Sequence, residues 1–488
     1  MLNTSPSDRV LPAGDRMANT SRSIILSERR PDYQKQYALV RGLDGSLAIA
    51  PPNRFVLTLP PELTSEIFLY CLPNSDFIHP DPFTAPLLLC HVCRPWRHIA
   101  LDTPGLWASL HLNLAWFCSP DEEEEEVEEE AEELLDLLAF FRDWISNARN
   151  MPLSVHVEDD HSSPPKHEVE PLLSMIGRRS AQWHKIMLRV SPAYFCLVFP
   201  SESLIFPSLH HLAVRNAPLF ETPWMLDIPW QRLTVFRSEN IGVSECIHVL
   251  RNGPSLLSCT FHLCQENYQV PFTSLPPLDL QALEITDTTT QLLILTLLQH
   301  LTLPALQCLA LKFDGPRHTH RDFSRLVSFA SRSAFALKHL TLCLLPVPEA
   351  LLIQSLHTFP SVIDLRLQLR QPADDLVHHF QYDVDLLPHL KSLHIVQNFP
   401  HPTAHDAAGL LRMLAARWEP PHPESRRKAQ LRSFRLADHA MPKFISVLCS
   451  DAKFCVLQEQ GMELDFGAVL NWSWTDWYIR YKSSGSNW

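Results

Sequence analysis

Residues 304–311 read PALQCLAL, and this stretch decides the fold because its pattern recurs along the chain. The pattern is Pro-x-Leu-x-x-Leu-x-Leu. Its second half alternates as a β-strand does, while the proline and the first leucine form the turn that leads into the strand. Clear copies are PSLHHLAV at 207–214, PSVIDLRL at 360–367 and PHLKSLHI at 388–395. The pattern therefore predicts a strand that is repeated many times.

Six looser copies complete a set of ten, and the third apolar position of each copy serves as its anchor. The anchors are Ile186, Leu212, Leu233, Cys259, Leu283, Leu309, Leu340, Leu365, Leu393 and Phe434. Successive anchors lie 21 to 31 residues apart until a last interval of 41. This spacing resembles the period of leucine-rich repeats. The asparagine that usually follows the strand is missing, so the resemblance to the standard repeat is partial.

Helix-like stretches separate the copies, for example at 289–301, 322–334 and 404–418. One strand with its helix cannot bury its apolar face alone, so the copies must stack on each other. The predicted fold class is α/β: a leucine-rich-repeat-like solenoid with a curved parallel sheet and outer helices, over residues 134–470.

A different pattern precedes the repeats. Residues 59–72 read LPPELTSEIFLYCL, which predicts a short amphipathic helix that begins at the prolines. A proline-rich loop at 73–86 leads to a second predicted helix over 87–99, with Arg94 and Arg97 outside and Leu106 and Trp107 closing the unit. The apolar stripe of this second helix comprises Leu88, Val92, Trp96 and Ile99.

Three elements in this order resemble an F-box of the kind common in mushroom-forming fungi. They are LPPEL at 59–63 with Ile67 and Phe68, VCRPWRHIA at 92–100, and Leu106-Trp107. The resemblance covers residues 54–112. It implies a small helical domain that packs with the Skp adaptor of a cullin-based ubiquitin ligase, without covalent chemistry on this chain. By motif position, the residues that would contact the adaptor are Leu59, Pro60, Leu63, Ile67 and Leu72, with Leu88, Val92 and Trp96 shared between that interface and the domain core.

The remaining segments flank these two regions. Residues 1–53 lack sustained periodicity and are predicted to be mostly disordered. Residues 119–133 form a predicted acidic loop, followed by a helix over 134–148. The Trp-rich residues 471–488 are predicted to be an aromatic tail or a cap that closes the solenoid, and the cap is favoured.

The outward positions of the repeat strands are candidates for a target-binding surface, because they touch no predicted core. The candidates are His211, Asp364, Arg366 and His394. The alternative for each of them is a solvated side chain without a role in binding.

Charge and composition exclude several classes of function. The net charge is −13, and residues 121–133 alone supply eleven carboxylates, so the rest of the chain is close to neutral. No basic face is available for nucleic acid. Twelve scattered cysteines indicate a reducing compartment, the cytoplasm or the nucleus. Residues 1–30 show no signal peptide, and the most apolar stretch, 292–311, contains too many polar residues for a membrane span.

Enzyme motifs are missing from the sequence. There are only 12 glycines, and no two of them are separated by a single residue, so a G-x-G-x-x-G loop is impossible. Cys90 and Cys93 with His91 form a lone C-x-x-C, for which core packing is favoured over zinc or redox chemistry. The expectation is a protein that is not an enzyme and has no cofactor and no metal.

The sequence thus predicts a substrate-recognition adaptor of an SCF-type ubiquitin ligase, which binds the Skp adaptor through its F-box and an unknown protein target through its repeats. One alternative is an F-box scaffold without a role in degradation. The other is a thiol- or metal-dependent enzyme centred on Cys90, Cys93 and His91.

Overall fold

The computed structural model describes residues 59–117, 127–159, 169–199, 205–215, 228–265, 275–289, 293–313, 324–343, 348–369, 374–383, 385–397, 404–418, 430–438, 449 and 451–467. The chain divides into two units, Met1–Pro229 and Trp230–Trp488. The predicted disorder at 1–53 and the predicted cap at 471–488 lie outside the described residues.

The described part of the first unit contains six α-helices and four β-strands. In chain order they are α1 (Pro61–Tyr70), α2 (Leu87–Val92), α3 (Arg94–Leu101), β1 (Ser109–Asn113), α4 (Val127–Asn147), β2 (Leu153–Glu158), α5 (Glu170–Arg178), β3 (Trp183–Arg189), α6 (Pro192–Val198) and β4 (His211–Arg215), with short 3₁₀ turns at Pro104–Trp107, Leu114–Phe117 and Ser180–Gln182.

The four strands of the first unit pair in parallel and in chain order. Buried and half-buried residues alternate along β1 and β2, as expected for strands with one face on a core. Four buried residues are aligned across the four strands: Leu110, Val155, Ile186 and Leu212. Since most of β1 falls within 54–112, the end of the predicted F-box segment forms part of this sheet.

The predicted second helix over 87–99 is in fact two helices. α2 ends at Val92 and α3 begins at Arg94, while Cys93 between them is extended, with φ −161° and ψ 165°. The physical reason is Pro95, which has no N–H to donate and whose ring would collide with the carbonyl one turn earlier.

Two tryptophans join the helical segment to the sheet of the first unit. Trp107 Nε1 donates to the carbonyl of Ala100 at 2.8 Å, and Trp144 Nε1 on α4 donates to the carbonyl of Ser109 at 3.2 Å. The two indole rings meet edge to face with their centroids 5.0 Å apart, and both side chains are buried. The core is therefore continuous from α3 through α4 to β1.

The predicted acidic loop of 119–133 is wrong at its carboxyl end. α4 begins at Val127, so the second half of the acidic run is helical, and residues 118–126 lie outside the described part. Glutamate is a good helix former, and carboxylates near a helix amino terminus interact favourably with the helix dipole. The helix-forming tendency of glutamate outweighs the irregular conformation that the charge run predicted from Val127 onward.

The described part of the second unit contains seven α-helices and nine β-strands. They are β5 (Val235–Ile241), α7 (Val243–Asn252), β6 (Ser258–Leu263), β7 (Ala282–Asp287), α8 (Leu293–Gln299), β8 (Cys308–Phe313), α9 (Ser324–Ser333), β9 (His339–Cys343), α10 (Glu349–Leu356), β10 (Asp364–Leu369), α11 (Asp374–Tyr382), β11 (Ser392–Gln397), α12 (Ala404–Trp418), β12 (Ser433–Asp438), α13 (Ala452–Glu459) and β13 (Glu463–Gly467).

These nine strands also pair in parallel and in chain order. Seven of the predicted anchors are aligned from strand to strand and buried: Cys259, Leu283, Leu309, Leu340, Leu365, Leu393 and Phe434. Most successive strands have a helix between them, as parallel neighbours require a crossover. The predicted α/β class with parallel strands in a solenoid-like order is confirmed.

Backbone hydrogen bonds just before the strands link one repeat to the next. The amide of Gln307 donates to the carbonyl of Gln281, and the amide of Lys338 donates to the carbonyl of Gln307, each at 2.8 Å. The same 2.8 Å bond joins Ile363 to Lys338 and Lys391 to Ile363. The residue that enters each strand is thus held in register before the strand itself begins.

One predicted anchor is in the wrong register. The sequence pattern placed Leu233 at the third position, yet the residue that pairs with Cys259 is Phe236. Leu233 instead lies in the turn before β5 and is buried there. The cause is Ser238, a buried polar residue two positions after Phe236, which hides the true spacing.

Two arginines, the buried Arg417 and the exposed Arg332, bridge neighbouring helices of the second unit. Arg417 near the end of α12 donates to the carbonyls of Phe380, Leu386 and Leu387, which follow or close α11. Arg332 on α9 does the same for α8, donating to the carbonyls of Leu298, Gln299 and Leu301. The last carbonyls of a helix lack partners within the helix, so these side chains satisfy them from the next repeat.

Candidate functional site

An apolar face of α1 points into solvent. The helix begins directly after Pro60, with a proline in its first turn. Leu63 and Ile67, one turn apart, are 55% and 48% exposed, and Tyr70 continues the same face. The opposite face carries Thr64 and Phe68, which are buried. α1 therefore packs through one side and leaves an apolar stripe free on the other.

A second apolar stripe lies on α2. Leu88 and Val92, also one turn apart, are 43% and 54% exposed, while Leu87 and Cys90 are buried. Within the described residues, half of the twelve large hydrophobic side chains that are exposed lie between Leu63 and Val92. Monomeric proteins rarely concentrate exposed apolar side chains in this way unless the surface binds something.

Specific contacts hold these helices together through α3. Phe68 on α1 meets Trp96 on α3 edge to face, with ring centroids 5.0 Å apart. Arg97, which was predicted to stay outside, is half-buried, and its Nε donates to the carbonyl of Cys90 on α2 at 2.9 Å. α3 thus connects both helices that carry the exposed stripes.

The eight predicted adaptor-binding residues fall into two groups. Exposed residues are Pro60, Leu63, Ile67, Leu88 and Val92, and half-buried residues are Leu59, Leu72 and Trp96. Trp96 makes the contact with Phe68 described above, in keeping with a shared position. The structure leaves the predicted face accessible, and the binding role itself stays a prediction.

The predicted target-binding residues are less exposed than expected. His211 and His394 are buried, and Asp364 and Arg366 are half-buried, while their role in target binding stays a prediction. The parallel register explains the burial of His394, because it places Arg366 and Arg435 directly beside this side chain on the neighbouring strands. Burial, reinforced by these two arginines, lowers the pKa of His394 to about 4. His394 is therefore neutral at physiological pH.

The strand register of the second unit lines up a row of side chains between the buried anchors, and all of them except Ala310 are polar. In strand order the row runs Arg237, Thr260, Glu284, Ala310, Thr341, Arg366, His394, Arg435 and Asp465. Carboxylates partner the cations at its carboxyl-terminal end: Asp364 lies 3.8 Å from Arg366, and Asp465 lies 3.6 Å from Arg435. The row offers a partner both charges and hydrogen-bonding groups.

Glu284 lies near the other end of this row. Thr260 Oγ1 donates to its Oε2 at 3.4 Å. Burial raises the pKa of the Glu284 carboxyl to about 7, against the opposing influence of Arg237, the Thr260 hydrogen bond and Lys312. This carboxyl thus takes up or releases its proton close to neutral pH.

Replacing Glu284 with glutamine is expected to stabilise the protein at pH 8 and to have little effect near pH 4. The unfolded carboxyl ionises first as the pH rises, so the native glutamate progressively loses stability between its unfolded pKa and about 7, where Glu284 titrates in the fold. The expected gain at pH 8 is roughly 1 to 3 kcal/mol. Urea unfolding of both proteins at the two pH values measures it.

The matched control for this substitution is Glu463→Gln, at an exposed carboxylate that begins β13. Its free energy of unfolding is expected to change by less than about 0.5 kcal/mol at either pH. A gain for Glu284→Gln that is the same at pH 4 and pH 8 would contradict the raised pKa.

A cluster of two histidines and a carboxylate lies in the first unit, where no metal ligand was expected. His111 on β1 and His156 on β2 are paired residues of neighbouring strands, and Glu158 ends β2. Their donor atoms all lie within 4.8 Å of one another. Burial lowers the pKa of His156 to about 3, with smaller contributions from His111 and Arg189, so its ring is neutral. No local sequence pattern marks this pair, because the two histidines lie 45 positions apart.

The cysteines of the C-x-x-C do not resemble a thiol centre. Cys90 is buried, and burial raises the pKa of its thiol to about 12, with Arg97 opposing. The nucleophile in thiol chemistry is the thiolate, which this environment disfavours. Among the described residues, Cys90, Cys93 and His91 are not part of any cluster with metal-ligand spacing. The interpretation of the pair as packing residues is the better supported one.

No protein-family model matches the chain, and a search of curated proteins finds no significant match. Within the described residues, no helix has both the length and the apolar character needed to span a bilayer.

Proposed function

We propose that this protein is a substrate-recognition adaptor of an SCF-type ubiquitin ligase. In this proposal α1, α2 and α3 form the F-box that binds the Skp adaptor, and the parallel strands present a surface for a protein target. The observation that carries the proposal is the exposure of Leu63, Ile67, Leu88 and Val92 on two helices that bear the F-box pattern.

The energetics of these side chains favour a helix-mediated interface. Covering a half-exposed leucine, isoleucine or valine with an apolar partner contributes on the order of 1 kcal/mol each. Leu63 and Ile67 lie one helical turn apart, as do Leu88 and Val92, which is the spacing with which a helix packs into a groove. Four such side chains on a small domain are enough to form the centre of an interface. The half-buried Trp96 stabilises the helix arrangement beneath them through its contact with Phe68.

The ligase chemistry is assigned to other subunits. The F-box resemblance places ubiquitin transfer on the cullin-bound machinery, so this chain needs no cofactor and no nucleophile. All cysteines within the described residues are free thiols. Free thiols suit a reducing compartment, and we place the protein in the cytoplasm, the nucleus or both.

Target binding is assigned to the row of polar side chains on the strands of the second unit. Arg366 and Arg435 flank the neutral His394, and Asp364 and Asp465 lie beside them. Alternating charges on neighbouring strands select a partner by complementarity more than by affinity. The chemistry points to a protein surface of mixed charge as the target.

The test is the affinity of the purified full-length chain for the Skp adaptor. We expect the double variant Pro60→Glu with Ile67→Glu to weaken binding by at least about 100-fold, because two charges would be buried against an apolar partner. Isothermal titration calorimetry measures the affinity. Point substitutions test the proposed interface more specifically than deletion of residues 54–112, because the deletion would also remove most of β1.

Val456→Glu is the matched control, because Val456 lies on α13 and has the same 48% exposure as Ile67. Its affinity for the adaptor is expected to equal that of the native chain. Adaptor binding that survives the double variant, or is absent from the native chain, would contradict the proposal. Binding to the adaptor without any effect on turnover of captured proteins in cells would point to the scaffold alternative.

A further inference from the structure

The donor atoms of His111, His156 and Glu158 converge on one point of the first unit. His111 Nε2 lies 3.2 Å from Glu158 Oε1, and His156 Nε2 lies 3.8 Å from Glu158 Oε2. The two imidazole rings stack with centroids 4.5 Å apart and planes within 12° of parallel. Each side chain is at most about one-third exposed. Two ring nitrogens and a carboxylate thus face each other in a partly closed space.

This arrangement leaves polar atoms unsatisfied by the protein. The Nε2 atoms of His111 and His156 are both buried, and neither makes a hydrogen bond with correct geometry within the described residues. A buried polar atom without a partner is costly, so native structures rarely keep one without a reason. A cation bound between the two nitrogens and the carboxylate to which they are directed would satisfy both atoms.

The donor set and the spacing select the cation. Two imidazole nitrogens with one carboxylate oxygen are ligands that zinc prefers, at bond lengths of about 2.0 to 2.2 Å. In tetrahedral geometry, ligand atoms at such bond lengths are roughly 3.3 to 3.6 Å apart. The distances of 3.2 and 3.8 Å run from the two nitrogens to different oxygens of Glu158, so each nitrogen has one carboxylate oxygen near that range. All three side chains have donor atoms within 4.8 Å of one another.

The position of the cluster indicates that an ion bound there would stabilise the fold. His111 and His156 are fixed by the parallel pairing of β1 with β2, so both rings come from rigid backbone. β1 follows the helical segment closely, and β2 pairs with β3, the first strand that carries a copy of the repeat. A third imidazole, that of His79, meets His111 edge to face with centroids 5.6 Å apart, next to the cluster. An ion here would fasten the first strand to the second.

We propose that His111, His156 and Glu158 bind a single Zn²⁺ ion, with a water molecule or His79 in the fourth position. This site does not depend on adaptor binding. Its role is structural, because it joins two paired strands of the first unit.

The test is zinc binding by the full-length chain after metal removal with a chelator and dialysis. We expect one zinc per chain by elemental analysis, with a dissociation constant below about 1 µM and a higher melting temperature in the zinc-loaded form. His156→Ala and the isosteric Glu158→Gln are each expected to weaken zinc binding by roughly 100-fold or more. Circular dichroism of each variant establishes that it is folded.

The matched control uses the other neighbouring histidines of the first unit. His184 and His210 have ring centroids 5.1 Å apart, but they are not part of a cluster with ligand spacing among the described residues. The double variant His184→Ala with His210→Ala is expected to bind zinc as the native chain does. A native chain that binds no zinc at about 100 µM overturns the proposal, as does full affinity in the folded Glu158→Gln variant.

Discussion

Replacing Arg417 with methionine is expected to lower the free energy of unfolding of the second unit by about 3 to 5 kcal/mol. The side chain is only 1% exposed, and methionine would fill most of its volume. What methionine cannot supply is hydrogen-bond donors. The carbonyls of Phe380 and Leu386 would then lose their arginine donor, while the carbonyl of Leu387 would keep only the amide of Leu390 as its donor.

The geometry at Arg417 explains the size of this effect. Its Nε donates to Phe380 O at 2.7 Å, and its Nη2 donates to Leu386 O at 2.8 Å, both short and charge-assisted. Burial lowers the pKa of Arg417 to about 10, with Asp383 opposing, so the cation persists at neutral pH. The guanidinium also lies over the ring of Phe380, 5.4 Å from its centroid. One side chain thus stabilises the end of α11 from the next repeat.

Urea unfolding followed by circular dichroism measures the loss. Arg417→Lys is expected to fall between the native chain and Arg417→Met, since lysine retains the charge without the planar fork of donors. Arg412→Met is the control on the same helix, at an exposed position, and should change stability by less than about 0.5 kcal/mol. A methionine variant as stable as the native chain would show that these carbonyls find other donors.

Replacing Gly177 with alanine is expected to destabilise the first unit by about 2 to 3 kcal/mol. A Cβ atom at this position would lie 2.5 Å from the carbonyl oxygen of Val198 and 3.2 Å from its carbonyl carbon. Both are backbone atoms at the end of α6, and they cannot rotate away as a side chain does. α5 would have to move away from α6, which would open the buried contact between the two helices.

Gly409→Ala is the matched control for this substitution. Gly409 also lies in a helix, α12, but a Cβ there would meet nothing within 4 Å. Alanine favours a helix interior over glycine, so this variant should gain up to about 1 kcal/mol. Thermal melts of the two variants should therefore shift in opposite directions. A shift of both in the same direction would show that the close approach at Gly177 is not the cause.

Most of the fold was accessible from the sequence because it is periodic. The leucines of each Pro-x-Leu-x-x-Leu-x-Leu copy occupy both the turn and the buried side of the strand. One short pattern therefore predicts both where the turn lies and which face of the strand is buried. The error at Leu233 shows the limit of such a pattern. Wherever a polar residue such as Ser238 occupies a buried position, an alignment based on apolar residues shifts to the nearest apolar positions and assigns the wrong register.

The strands at the ends of the described series were harder to recognise. β1, β2 and β13 carry Leu110, Val155 and Leu464 in register with the anchors of their neighbours, but none belongs to the ten copies. The proline and leucine that mark the turn are replaced there by other residues. Their register follows from hydrogen bonding to a neighbouring strand, which the local sequence does not encode.

The candidate site was predictable only where it is local. Leu63 and Ile67 lie on one helix, so their spacing alone places them on one face, and the exposure of that face agrees with the spacing. The histidine and carboxylate cluster depends on the pairing of β1 with β2 across 45 positions of the chain. His394 illustrates the same point, since Arg366 and Arg435 cover it only once three strands are aligned.

The backbone bonds that join each repeat to the one before it have a thermodynamic consequence. Gln307, Lys338 and Ile363 are coupled through a chain of nearest-neighbour links. Such a chain unfolds from its ends, with each repeat opening at a cost set by its own neighbours. Under the proposed function, a target bound across several strands would hold together repeats that otherwise open separately. Target binding would then also raise the resistance of these repeats to local unfolding.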